Sequence, residues 1–168
     1  MKIDMIVVFA FVVGIVALPY IFFILFGSSN TKKIHAKFKE EASKNDLSLA
    51  QSETWNGRQI AIDTIKNVLL YGRIVQDKLI FEYIDLAQIS QVNIFEDSKT
   101  KRIDGKVITT LENLALTFTP QGNGTPVTLN FYDSLFDASQ NFELKRATQW
   151  KNTIAQQLHI KSAHHVAA

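Results

Sequence analysis

The hydrophobic pattern changes period several times along the chain. Residues 5–27 read MIVVFAFVVGIVALPYIFFILFG, with no charged side chain. At ~1.5 Å per residue, a helix over this stretch covers about 34 Å, enough for a ~30 Å hydrocarbon core. The pattern therefore predicts a transmembrane helix, kinked at Pro19 in a way membrane helices tolerate. Residues 28–44 place Ile34, Phe38 and Ala42 four apart, a narrow apolar stripe flanked by lysines. This predicts a juxtamembrane helix, with N-caps available from Ser28 to Thr31.

From Leu47 the pattern shortens to that of strands. Ile60 and Ile62 alternate with polar residues before a turn at residues 64–67, and Val68, Leu69, Leu70 and Tyr71 follow it. This reads as a hairpin. Trp55 precedes Asn56-Gly57, a tight-turn dipeptide that should end the first strand. Residues 79–83 and 91–95 are two further strand candidates. Leu114, Leu116 and Phe118, then Val127, Leu129 and Phe131, alternate on either side of a connector from Pro120 to Pro126. Turn chemistry at both ends of that connector predicts another hairpin. Finally, Leu144, Ala147, Trp150, Ile154 and Leu158 recur at spacings of three and four, predicting an amphipathic helix capped by Asp137 or Ser139. The expected organisation is an anchor at 1–27, a linker helix at 28–46, a folded domain at 47–160 and a fraying tail at 161–168.

Composition narrows the function classes. The chain has 168 residues, and its 18 basic and 16 acidic side chains leave a net charge of +2. No strong field argues for nucleic acid. The absence of cysteine excludes a disulfide framework, thiolate catalysis, cysteine-ligated zinc and an acylated lipoprotein cysteine. A cleaved signal peptide competes with the anchor. However, the apolar run exceeds an h-region of ~7–15 residues, one lysine precedes it, and only Gly27-Ser28-Ser29 resembles a cleavage site. Lys2 alone lies before the span, whereas Lys32, Lys33, Lys37, Lys39 and Lys44 follow it. The positive-inside rule then predicts an inner-membrane protein with its N-terminus outside and its domain cytoplasmic.

Candidate chemistry is sparse. His35, His159, His164 and His165 have no metal-ligand spacing with a carboxylate. Gly122-Asn123-Gly124 joins two strands and lacks the lysine of a phosphate loop. Asp133, Asp137 and Glu143 surround an expected helix N-terminus, where acids are favoured in any case. Lys32, Lys33, Lys37 and Lys39 could meet an anionic leaflet, each gaining about 1 kcal/mol; equally, Ile34 and Phe38 could pack on the domain and leave the lysines solvated. Residues 97–106 carry Lys99, Lys101, Arg102 and Lys106 against Asp97 and Asp104, and read as an exposed hairpin loop. No catalytic, cofactor or metal site is expected.

Strands closed by one C-terminal helix are the layout of a pleckstrin-homology-like (PH-like) barrel. Asn67 to Tyr71, followed by Ile84-Asp85-Leu86-Ala87-Gln88-Ile89-Ser90-Gln91-Val92, resembles the bacterial branch of that superfamily, in which a strand leads into an I-x-L-x-x-I-x-x-V segment. Phe131-Tyr132-Asp133 followed by Ala147-x-x-Trp150-x-x-x-Ile154 is also similar to small membrane-anchored members. The resemblance implies an α+β fold: a single N-terminal transmembrane helix, then a mostly antiparallel PH-like barrel of about seven strands capped by an α-helix. It implies binding without catalysis. The basic phosphoinositide motif of eukaryotic members is not evident, since only Arg58 is basic between residues 56 and 61.

The leading expectation is a membrane-tethered, non-catalytic adaptor. It would hold the bilayer through residues 5–27 and present its domain to a protein partner. The alternative is a small structural subunit of a membrane complex, with Ala10, Gly14 and Ala17 as a helix-pairing face. An enzyme ranks third, because no acid–base pair or nucleophile is recognisable.

Overall fold

The computed structural model describes Val13 and residues 29–137, 139–140 and 142–166. The elements run α1 (Ser29–Lys44), β1 (Gln51–Trp55), β2 (Arg58–Asp63), β3 (Val68–Val75), β4 (Lys78–Asp85), a 3-10 turn (Leu86–Gln88), β5 (Ile89–Ile103), β6 (Lys106–Pro120), β7 (Val127–Asp133) and α2 (Glu143–Val166). Strands β1 to β4 form one antiparallel sheet in sequential order, and β5 to β7 form a second.

Turn chemistry sets the first hairpin. Asn56 and Gly57 both take positive φ, 35° and 72°, the conformation a two-residue hairpin turn needs. Trp55 then faces Arg58, and the β1–β2 register follows. Strand β2 is buried along its whole length, because it has a neighbour on each face. Ile60 and Ile62 enter the main core with Leu69, Tyr71, Leu116, Phe118, Phe131 and Trp150. On the opposite face Ala61 and Leu70 meet Phe38 and Ala42 of α1.

Phe38 and Ala42 of α1 thus pack on the domain, Ile34 is buried as well, and Lys33, Lys37 and Lys39 are exposed. Gly72 makes room for this contact. A Cβ there would lie 3.2 Å from both the Phe38 and Phe81 rings, so a side chain at this position would press on both rings beneath α1.

Helix α2 covers the core with Ala147, Trp150 and Ile154, all buried. The expected stripe is corrected at its start, where Leu144, the second residue of the helix, is 48% exposed. It also runs on to Val166, past the expected tail boundary.

Two larger expectations are corrected as well. The strands do not close a PH-like barrel, since no ladder joins the two sheets among the described residues. Side-chain bonds bridge them instead. Trp55 Nε1 donates to the Phe131 carbonyl over 3.1 Å, and the buried Tyr71 hydroxyl donates to the Asn130 carbonyl. Burial pushes the Tyr71 pKa upward, so this donor stays protonated.

The single-pass architecture is corrected too. No helix among the described residues is long and apolar enough to cross a membrane. Helix α2 has the length, at 24 residues, but Lys145, Arg146 and Lys151 interrupt it. The span expected at residues 5–27 lies, but for Val13, outside the described residues. The inner-membrane localisation and the cytoplasmic orientation rested on that span and are not retained.

Two stability outcomes follow. Trp150 is fully buried, and its Nε1 donates to Glu53 Oε2 over 2.8 Å. Trp150→Ala should cost about 3–5 kcal/mol, while Trp150→Phe should cost clearly less; urea denaturation measures both. The second outcome concerns Asp63, which accepts backbone N–H bonds from Ser48 at 2.7 Å, Ile65 at 2.9 Å and Lys66 at 2.8 Å. Burial raises its pKa, but those donors and the Lys66 charge outweigh burial and hold it below the usual carboxylate value. A depressed folded pKa contributes stability above the unfolded pKa of about 3.9 and loses it as pH falls through the folded value. The stability advantage of the parent over Asp63→Asn should therefore be full near neutral pH and shrink below about pH 4. A constant difference down that range would contradict the assignment.

Candidate functional site

The most specific polar arrangement lies where the β1–β2 turn meets the end of β7. Arg58 is inward-facing at the start of β2 and 7% exposed. Its Nη1 and Nη2 donate to Asp137 Oδ1 and Oδ2 over 2.7 and 2.9 Å, a bidentate pair. Nη1 also donates to the Asn56 carbonyl at 3.0 Å, and Nη2 to Asn130 Oδ1 at 2.7 Å. A planar guanidinium suits this fork, which a lysine cannot reproduce.

The same carboxylate organises a turn. Asp137 Oδ2 accepts the Asp133 N–H at 2.8 Å. Asp133 returns the contact: its carbonyl accepts the N–H groups of Phe136 and Asp137 at 3.0 and 2.9 Å, and its Oδ1 accepts the Leu135 N–H at 3.0 Å. Ser134 is tied to β6, donating its N–H to the Glu112 carbonyl and its hydroxyl to Glu112 Oε2, each at 2.9 Å. Within this fixed turn, Leu135 and Phe136 are each 83% exposed, and Phe142, just before α2, is 77% exposed. Phe142 holds a positive φ of 62°, where a bulky residue is uncommon.

A cleft of about 400 Å³ opens beside the turn, lined in part by Gly57, Arg58, Arg73, Ile74, Asn130 and Phe136. Arg58 Nε and Arg73 Nε have no hydrogen-bond partner. Glu82 lies 4.0 Å from Arg73 Nε, too far for a hydrogen bond. Both of those nitrogens are buried, so what the cleft presents beside its apolar walls is the partly exposed remainder of the Arg73 guanidinium. On the other side, Asn56 Nδ2 donates to Glu143 Oε1 at 3.0 Å, Arg146 pairs with Glu53 at 2.6 Å, and the Arg146 guanidinium sits 5.0 Å over the Trp55 ring.

The residues expected from sequence do not converge here. Lys33, Lys37 and Lys39 lie on the outer side of α1, and the Lys32 side chain is outside the description. His35 Nδ1 lies 3.2 Å from Gln59 Nε2, and His159 is exposed. Among the described residues, no three His, Asp or Glu side chains come together as metal ligands. Asp137 is not the helix cap expected; it is the counter-ion of Arg58. Sequence reasoning missed Leu135 and Phe136. Their signal is that two adjacent apolar residues belong to neither the alternation ending at Phe131 nor the helical stripe.

No family model matches the chain, and no curated protein or solved structure matches it either. The class defined by fold and site is an α+β domain of two antiparallel sheets carrying a pinned apolar turn.

Breaking a buried charge pair by removing one partner costs about 3–5 kcal/mol, because the survivor stays buried and uncompensated. Asp137→Ala and Arg58→Ala should each lose stability on that scale, and the double variant should lose much less than the sum. Denaturation of the three variants forms the test. Additive losses would mean that the pair does not act as a unit.

Proposed function

We propose that this domain is a non-catalytic binding module whose contact surface is the pinned turn at Leu135 and Phe136, with the Arg58–Arg73 cleft at its foot. The observation that carries this reading is the cost of the display. Exposing two large apolar side chains gains nothing for the isolated chain. Yet a buried bidentate ion pair and a ring of backbone hydrogen bonds hold them outward. Such preorganisation lowers the ordering cost that a flexible loop meets on association. Aromatic and aliphatic anchors are also the side chains that dominate protein interfaces. The partner this suits is a protein with an apolar pocket for Phe136 and a carbonyl or carboxylate for the partly exposed Arg73 guanidinium.

This reading needs no membrane span, and it parts from the enzyme class at Asp133, Asp137 and Glu143. Each of these already serves the turn or its flank. The double substitution Leu135→Asp/Phe136→Asp touches only exposed positions, so the melting temperature should stay within a few degrees of the parent. A photo-crosslinking residue placed at 136 should give one discrete adduct in cells, and one placed at the exposed Gln121 should give none. The double variant should lose the cellular phenotype of the gene. If activity survives the double variant but is lost in Asp133→Asn with the fold intact, the binding reading fails and chemistry at the turn takes its place.

A further inference from the structure

Strands β5 and β6 outrun the rest of their sheet. Their ladder continues to Ile103 opposite Lys106, closed by a turn at Asp104-Gly105, where sequence alone suggested a loop. Strand β7 pairs with β6 only between Asn113 and Phe118. Ser134 carries that pairing one position further, its N–H on the Glu112 carbonyl. Beyond Glu112 the sheet has no third strand among the described residues, and residues 98–111 form a two-stranded ribbon. Residues 106–111 of β6 thus present an open edge in line with β7, about 20 Å long at ~3.4 Å per residue. An isolated two-stranded ribbon is marginal in water, and an open edge is a template for a further strand.

Cross-strand partners in an antiparallel ladder share a face, so the register sorts the ribbon's side chains. One face carries Val107, Thr109 and Leu111 along the edge. Leu111 packs against the main core, and Val107 is 65% exposed. The other face carries Lys106, Ile108 and Thr110 along the edge, with Lys101 across from Ile108 and Lys99 across from Thr110. Three lysines therefore line one face, while the edge of the other is aliphatic or threonine. Over residues 98–111, Lys99, Lys101, Arg102 and Lys106 stand against Asp104 alone. None of these four cations enters an ion pair among the described residues.

Charge and period together select the occupant. A second copy's ribbon would set cations against cations. A strand that reached Glu112 would collide with Ser134, so the occupant ends before that residue. A nucleic acid would answer the lysines and leave the backbone edge and the aliphatic face unused. An extended acidic peptide answers all three. Its main chain pairs with β6, its apolar side chains prolong the strip that runs from Leu111 to Val107, and acids at the alternate positions meet the lysines. Strand addition draws affinity from main-chain hydrogen bonds and specificity from alternate side chains. We infer that residues 106–111 of β6 are a docking edge for an extended peptide of alternating acidic and apolar residues, added to the sheet end to end with β7. This edge is separate from the pinned turn and does not depend on it.

The probe is a fluorescently labelled peptide, Val-Glu-Val-Glu-Val-Glu-Val, titrated with the full chain and read by anisotropy. It should bind, and amide exchange within residues 107–111 should slow several-fold. The same peptide N-methylated along its backbone keeps the charge and loses the strand bonds, so it should bind several-fold more weakly. A peptide with lysine in place of glutamate should not bind the parent. Lys101→Glu/Lys106→Glu changes only exposed positions; it should lose the glutamate peptide and gain the lysine one. Leu135→Asp/Phe136→Asp should bind the probe as the parent does. Failure of the glutamate peptide to bind overturns the inference. Equal binding of the N-methylated peptide also overturns it, because charge alone would then hold the probe. Protection that falls on residues 99–102 moves the strand to the β5 edge and overturns it too. So does duplex DNA that binds the parent more tightly than the probe and is lost in the lysine variant, which assigns the ribbon to its cations.

Discussion

The arrangement around the candidate site depends on one buried ion pair. Arg58 and Asp137 lie 79 positions apart in sequence, and their side chains are almost wholly buried. Taking both charges out of water is expensive, and only close geometry with further hydrogen bonds offsets the loss. Arg58 has both: the bidentate contact, the Asn56 carbonyl and the Asn130 side chain. What the pair contributes above all is location. It ties the first turn of one sheet to the end of the last strand of the other, at a point where no backbone ladder connects them. The Trp55 and Tyr71 bonds to β7 act beside it and for the same reason.

That replacement of ladder by side chains bears on β2. A strand buried on both faces has little freedom in register, because a one-residue slip would move Ile60 and Ile62 out of the core and Ala61 into it. Gln59, Ala61 and Leu70 can face inward on the second side only because α1 lies over them. Helix α1 is thus part of the folded unit. Its apolar stripe is narrow because it meets a single sheet face, and its lysines are left for solvent.

The locally encoded parts of this fold were legible in the sequence. Asn56-Gly57 announced the first hairpin, the alternation at Leu114–Phe118 and Val127–Phe131 announced β6 and β7, and the spacing of Ala147, Trp150 and Ile154 announced α2. Each is a short-range signal, with period or turn chemistry readable within a dozen residues. Barrel closure was misjudged because strand pairing between distant segments leaves no local trace. The ribbon was read as a loop because its alternation is between polar and polar: Lys99, Lys101 and Thr109 carry no apolar period, although their backbone pairs as well as any. Asp137 was read as a helix cap because acids near a helix start are common. Only the fold reveals that Arg58 takes it. Leu135 and Phe136 left only a misfit in the sequence, two adjacent apolar residues that fit neither the strand alternation nor the helical stripe.

The ribbon and the pinned turn meet at Glu112. This residue sits where the β5–β6 register shifts, between Asp97–Asn113 and Ser98–Leu111. The ribbon begins there, and there too Ser134 of the pinned turn attaches, through both the carbonyl and the carboxylate of Glu112. Because Asn113 faces Asp133 in the β6–β7 ladder, the Ser134 bond carries that pairing one position beyond β7 and fixes where the turn leaves the sheet. The turn is thereby held at both ends, at Ser134 by Glu112 and at Asp137 by Arg58, and Leu135 and Phe136 are displayed between the two attachments.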